Sequence, residues 1–232
     1  MFKRPRHQLV SKILGTFDAG FLRDNSCYFG GGTRIVMELD EYRDSMDIDL
    51  LCADTAGYRT IRTRITDTSL VPIVVQPLPL AREVRADRYG IRTFFDVDGE
   101  KIKFEIVYEG RINLASQQLP GLSVPCLDRL SCFAEKLLAN TDRWADRAVL
   151  SRDIIDLAFM ASHWGDIPQE AWTLAENAYG ISVRAGLSKA IMMLQSDSAY
   201  FEHCIYVMAI TETERLKSGL KILGDSNAVK SA

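Results

Sequence analysis

Polar and apolar positions alternate over residues 101–106: Ile102, Phe104 and Ile106 are apolar, and Lys101, Lys103 and Glu105 are charged. That period of two predicts a strand with one face in a core. Residues 46–50 repeat it, with Met46, Ile48 and Leu50 on one face and Asp47 and Asp49 on the other. Asp98-Gly99 predicts a tight hairpin between strands at 92–97 and 100–107. A Pro-rich extended stretch spans 71–79, and a helix is expected at 8–17. Beyond Pro125 the period becomes helical. Helices are expected at 128–141 and 147–162, after Pro168 up to Gly180, and at 183–195, 199–209 and 213–223. Residues 225–232 read as a frayed tail.

The first half also carries a glycine-rich turn. Cys27-Tyr28-Phe29 has strand character, Gly30-Gly31-Gly32-Thr33 follows, and Thr33 is the expected N-cap of the next helix. A glycine turn entering a helix lets backbone N–H groups approach phosphate oxygens, and the helix N-terminus favours negative charge. Gly31, Gly32 and Thr33 are therefore the candidate phosphate cradle. Thirteen residues, Arg34 to Met46, separate it from Asp47-Ile48-Asp49. Two carboxylates at i and i+2 of a strand project to one side, about 7 Å apart. Such a pair suits Mg²⁺, or Mn²⁺ in its place, shared with substrate phosphates.

Glu105 is the candidate third acid and third metal ligand, flanked by Phe104 and Ile106 on a strand whose other face is apolar. An exposed strand face bearing Lys and Glu gives the same pattern. An EF-hand is excluded: counted from Asp47, the glycine position is Cys52 and the glutamate position is Tyr58. Counted from Asp96, the same positions hold Lys101 and Val107.

These residues resemble the nucleotidyltransferase fold of the DNA polymerase β superfamily, and within it the AbiEii/AbiGii type of bacterial toxin, to which the MenT toxins are related. Arg43-Asp44-Ser45-Met46-Asp47-Ile48-Asp49 is similar to that family's Arg-x-Ser-x-Asp-x-Asp element. Ala134-Glu135-Lys136-Leu137-Leu138 resembles its lysine motif, and Arg152-Asp153-Ile154-Ile155-Asp156 its Arg-Asp-x-x-Asp motif. One extra glycine precedes the Gly-Gly-Thr turn. The resemblance implies an α+β, polymerase β-like core with a mixed sheet and flanking helices, residues 1–122, then a helical domain, residues 123–232, that completes the active-site cleft. It implies Asp47, Asp49, Lys136 and Asp153 as catalytic residues, with Lys136 supplying a point charge to phosphates. It adds Arg43, Ser45 and Arg152 to the nucleotide-binding set. Asp156 either orients its neighbours or pairs with Arg152.

Composition changes this picture little. The chain has 232 residues, 47% hydrophobic and 25% charged, and a net charge of −3, so no global nucleic-acid signature is present. Arg59, Arg62, Arg64, Arg82, Arg85, Arg88 and Arg92 lie between the two acid-bearing strands. They either guide tRNA phosphates or form a solvated surface balanced by Asp67, Glu83 and Asp87. Five cysteines without a Cys-x-x-Cys spacing indicate free thiols in a reducing cytoplasm. No signal peptide or transmembrane run is evident. The expected function is metal-dependent transfer of a nucleoside monophosphate from an NTP to tRNA, by a cytoplasmic toxin with an antitoxin encoded nearby and no membrane association. The alternatives are a small-molecule, antibiotic-type nucleotidyltransferase and a catalytically silent nucleotide- or partner-binding module.

Overall fold

The computed structural model describes residues 2–229. The chain forms two compact units, the first made of residues up to Glu38 together with Ser45–Asp128, the second of Leu39–Asp44 and the residues from Arg129 onward.

In the first unit α1 (Pro5–Leu14) and α2 (Ala19–Asp24) precede β1 (Cys27–Gly30), α3 (Gly31–Glu38), β2 (Ile48–Cys52) and α4 (Thr55–Arg64). Strands β3 (Leu80–Ala86), β4 (Gly90–Val97), β5 (Glu100–Tyr108), β6 (Ser116–Gln117) and β7 (Cys126–Leu127) follow. All seven form one mixed sheet in the order β3-β4-β5-β2-β1-β7-β6. The β2–β5 and β1–β7 pairs are parallel and the others antiparallel. The expected α+β class and mixed sheet are thus the observed ones.

The alternating patterns explain the central strands. Ile48, Leu50, Phe104 and Ile106 are fully buried and join Val10, Ile13 and Leu14 of α1 in one apolar core. Phe17 meets Phe104 edge-on, with ring centroids 5.7 Å apart, and Phe95 lies 5.1 Å from Phe104. The hairpin joins β4 and β5 through Asp98 and Gly99, both at positive φ, as a two-residue turn of this hand requires. The opening helix starts earlier than its apolar pattern suggests, because Pro5 sits where a helix tolerates a missing N–H. Helices α2 and α4 were not legible as apolar periods. Asp18 and Asp54 cap them, accepting from Phe21 and Gly57 backbone N–H groups.

The second unit holds α5 (Arg129–Arg143), a 3₁₀ turn (Arg147–Val149), α6 (Arg152–Trp164), α7 (Gln169–Tyr179), α8 (Ser182–Ser196), α9 (Ser198–Val207) and α10 (Thr213–Val229). The helix expected at 147–162 is broken, since Leu150 and Ser151 both adopt left-handed backbone and α6 begins only at Arg152. The tail expected from 225 is instead helical as far as Val229, where Asn227 Nδ2 donates to Ser188 Oγ at 2.7 Å. Residues 230–232 of that expected tail lie outside the described residues. Among the described residues no helix is long and apolar enough to cross a membrane.

Candidate active site

Strand β1 ends in Gly30, and α3 opens at Gly31 with φ +67°. A Cβ on Gly31 would overlap the Asp49 carboxylate, so the glycine turn packs directly against that acid. Thr33 is not the N-cap expected from sequence: α3 has already begun at Gly31, and Thr33 lies buried inside its first turn with Gly32. Its hydroxyl instead meets Ser45 Oγ at 2.7 Å, joining the start of α3 to the segment before β2.

Register then aligns four strands. Gly30 is the partner of Asp49, Asp49 of Glu105, and Glu105 of Arg92. Asp49 on β2 and Asp47 just before it are half-buried, while Ile48 between them is fully buried. Glu105 joins that row but is already engaged. Its Oε1 accepts from Arg92 Nε at 2.6 Å, and its Oε2 from Lys103 Nζ at 2.6 Å. Burial would raise the Glu105 carboxyl, but Lys103 and Arg92 hold it below the usual glutamate range. Burial likewise works against the Lys103 charge, yet Glu105, Asp49 and Asp47 keep its ammonium above the ordinary lysine value.

Among the described residues no group of three or more His, Cys, Asp or Glu is placed to hold a metal ion. The donor chemistry that fits Mg²⁺ or Mn²⁺ is the hard-oxygen pair Asp47 and Asp49, with the Gly31 turn against the second of them. All five cysteines are free and buried.

The remaining candidates meet inside the helical unit. Asp156 Oδ1 accepts from Tyr42 Oη at 2.6 Å and Arg43 Nε at 2.8 Å, and Oδ2 from Arg43 Nη2 at 2.9 Å. Lys136 Nζ lies 2.6 Å from Asp156 Oδ2 and donates to Asp153 Oδ1 at 2.9 Å. Arg143 closes the network, its Nε 2.6 Å from Asp153 Oδ2 and its Nη2 2.9 Å from Oδ1. Tyr42 stacks on Phe159 with centroids 3.8 Å apart. Asp156 therefore pairs with Arg43 and Lys136 and not with Arg152, which opens α6 half-buried.

The network keeps its charges despite burial. Desolvation would raise Asp153 and Asp156, but Lys136 and Arg143 hold the first, and Arg43 and Lys136 the second, below the ordinary aspartate value. Desolvation would lower Lys136, and Asp153 and Asp156 more than reverse it. Sequence reasoning missed Tyr42 and Arg143. The signal for Arg143 was its place seven residues after Lys136, on the same side of α5.

Six of the seven clustered arginines are exposed: Arg59, Arg62 and Arg64 on α4, Arg82 and Arg85 on β3, and Arg88 just after it. Arg92 is instead held by Glu105 and Asp87.

A mixed sheet with flanking helices carries a glycine turn against Asp49 of a central strand, with Asp47 just before that strand, an arrangement that fits the nucleotidyltransferase class. The family model "Nucleotidyl transferase AbiEii toxin, Type IV TA system" matches residues 13–202, and the chain belongs to that family of enzymes. The fold is shared with a candidate nucleotidyltransferase from H. pylori, at 15% identity and a TM-score of 0.52 over 96% of this chain and 92% of that one. It is shared equally with JHP933 from Helicobacter pylori, at 14% identity and a TM-score of 0.53 over 100% of this chain and 97% of that one. No curated protein matches the chain in sequence.

Proposed function

We propose that the chain transfers a nucleoside monophosphate from an NTP to tRNA, releasing pyrophosphate, as a cytoplasmic toxin neutralised by an antitoxin encoded beside it. The observation that carries this reading is the Gly31 turn lying against the Asp49 carboxylate, with Asp47 two residues before it in the chain. Backbone N–H groups of Gly31, Gly32 and Thr33 cradle the phosphates at the start of α3. Asp47 and Asp49 hold Mg²⁺ or Mn²⁺, which supplies charge neutralisation for the triphosphate when bound. Ser45 orients Thr33 through their shared hydrogen bond.

Lys136 and Asp153 keep the catalytic roles that their motifs imply, as a charged pair held within the helical unit. Arg43 acts by position, because its guanidinium is committed to Asp156. Arg152 remains the phosphate-facing member of its motif. The exposed arginines of α4 and β3 supply the tRNA contact, an electrostatic and salt-sensitive mode of binding.

The test is NTP labelled on its α-phosphate, offered with total tRNA. Label should enter tRNA with Mg²⁺ or Mn²⁺, release pyrophosphate, and stop with a chelator. RNA left unmarked across the four NTPs, with label on a small molecule or protein, rejects the tRNA acceptor. No pyrophosphate with any acceptor supports a silent binding module instead.

A further inference from the structure

The carboxylates of β2 and β5 lie beside a lysine whose ammonium one of them holds. The parallel register pairs Ile48 with Phe104 and Asp49 with Glu105. Asp47 immediately precedes β2, and Lys103, two positions before Glu105 on β5, feels the charge of both Asp49 and Asp47. Asp49 of the ligand pair therefore sits opposite Glu105, the acid that anchors Lys103. Glu105 does not offer free oxygens: one accepts from Lys103 Nζ and the other from Arg92 Nε, each at 2.6 Å. Its side chain is only 14% exposed, against 38% for Lys103, so the acid is fixed beneath the cation that it anchors.

A fixed ammonium anchored on the register partner of Asp49 repels a divalent ion approaching the carboxylate pair, and it also supplies positive charge there without metal. We infer that Lys103 is a resident cation of this carboxylate face: anchored by Glu105 as its positioning residue, it takes the place of a second divalent ion, so the face binds one ion, on Asp47 and Asp49. This rests on the proposed function only in taking Asp47 and Asp49 as the ligand pair. Glu105 thereby changes from a ligand to a support, and Lys103 becomes the residue that limits the metal count.

The experiment is Mn²⁺ titration of the nucleotide-free full chain by calorimetry, with electron paramagnetic resonance counting bound ions. Wild type should bind one ion. Glu105→Gln should still bind one, with Kd within about threefold. Lys103→Met should bind Mn²⁺ about tenfold tighter or admit a second ion, and Lys103→Arg, which keeps the charge, should behave as wild type. Circular dichroism checks that each variant is folded, and the arginine variant decides the matter should the methionine variant not fold: altered Mn²⁺ binding there counts against the inference. Two ions on wild type, loss of the ion in Glu105→Gln, or unchanged binding by folded Lys103→Met would overturn it. Asp49→Asn separates the two levels of argument. Loss of Mn²⁺ in that variant upholds the ligand pair whatever Lys103 does, and full Mn²⁺ binding sinks the pair and the inference together.

Discussion

Arg43 grips Asp156 with two parallel hydrogen bonds, Nε to Oδ1 at 2.8 Å and Nη2 to Oδ2 at 2.9 Å, in a fully buried setting. Such a fork fixes geometry as well as charge. Removing one partner of a buried pair leaves the other charge uncompensated, at a cost of about 3–5 kcal/mol. Asp156→Asn strands Arg43 and half of the Lys136 environment, so its denaturant midpoint at pH 7 should fall accordingly. The Asp156 carboxyl is held below its ordinary value of 3.8, mainly against desolvation and by Arg43 and Lys136. A depressed acid stabilises above its unfolded value and loses that contribution as pH falls through the folded one. The gap between wild type and variant should therefore stay level from pH 7 to about 4 and narrow below it. Equal midpoints at pH 7 would falsify the structural role of this pair.

The same burial sets a condition on Lys136. Its side chain is 7% exposed between two carboxylates, so it does not lie on the solvated helix face that lysine usually takes. Lost activity in Lys136→Ala reports on chemistry only once its stability has been matched to wild type.

The sheet around the site was legible because its information is local. Alternation at 46–50 and 101–106 marked which residues face the core, and Asp98-Gly99 marked the hairpin between β4 and β5. The glycine turn was visible too, but not its register. Which glycine meets Asp49 depends on β1 pairing with β2, a contact that no local pattern encodes. The helical unit shows the same limit. Its helices were readable from their apolar stripes, whereas the Asp156 partner was not, since Arg43 is 113 residues away in the chain. Glu105 illustrates the third kind of gap: alternation placed it on the polar face, and only the positions of Lys103 and Arg92 show that its oxygens are taken.

Gly31 offers a test of the cradle apart from catalysis. At φ +67° any other L-residue is strained by about 1–2 kcal/mol, and alanine would also push into the Asp49 carboxylate. Gly180, at φ +62° with nothing within 4 Å of an added Cβ, carries the strain alone. Gly180→Ala should thus lose modest stability and keep Mn²⁺ affinity. Gly31→Ala should lose more stability and also weaken Mn²⁺ binding at least tenfold, measured by calorimetry. Unchanged Mn²⁺ affinity in folded Gly31→Ala would mean that the turn and the carboxylate are not one site.

The exposed arginines decide the acceptor. Arg85 and Arg88 lie at and just beyond the end of β3, where no ion pair engages either among the described residues, and Arg88 packs over the Tyr89 ring with its guanidinium carbon 4.6 Å from the centroid. If they meet tRNA phosphates, labelling should fall steeply as salt rises, because each neutralised phosphate releases counterions. Removing each contact should flatten the plot of log affinity against log salt by about one unit. Arg85→Glu with Arg88→Glu should therefore weaken tRNA binding most at low salt and leave Mn²⁺ and NTP binding unchanged, since neither residue belongs to the carboxylate face. A double variant that labels tRNA as well as wild type, with the same salt slope, would place the RNA contact elsewhere. Lost NTP binding in the same variant would instead show that these arginines serve the nucleotide and not the acceptor.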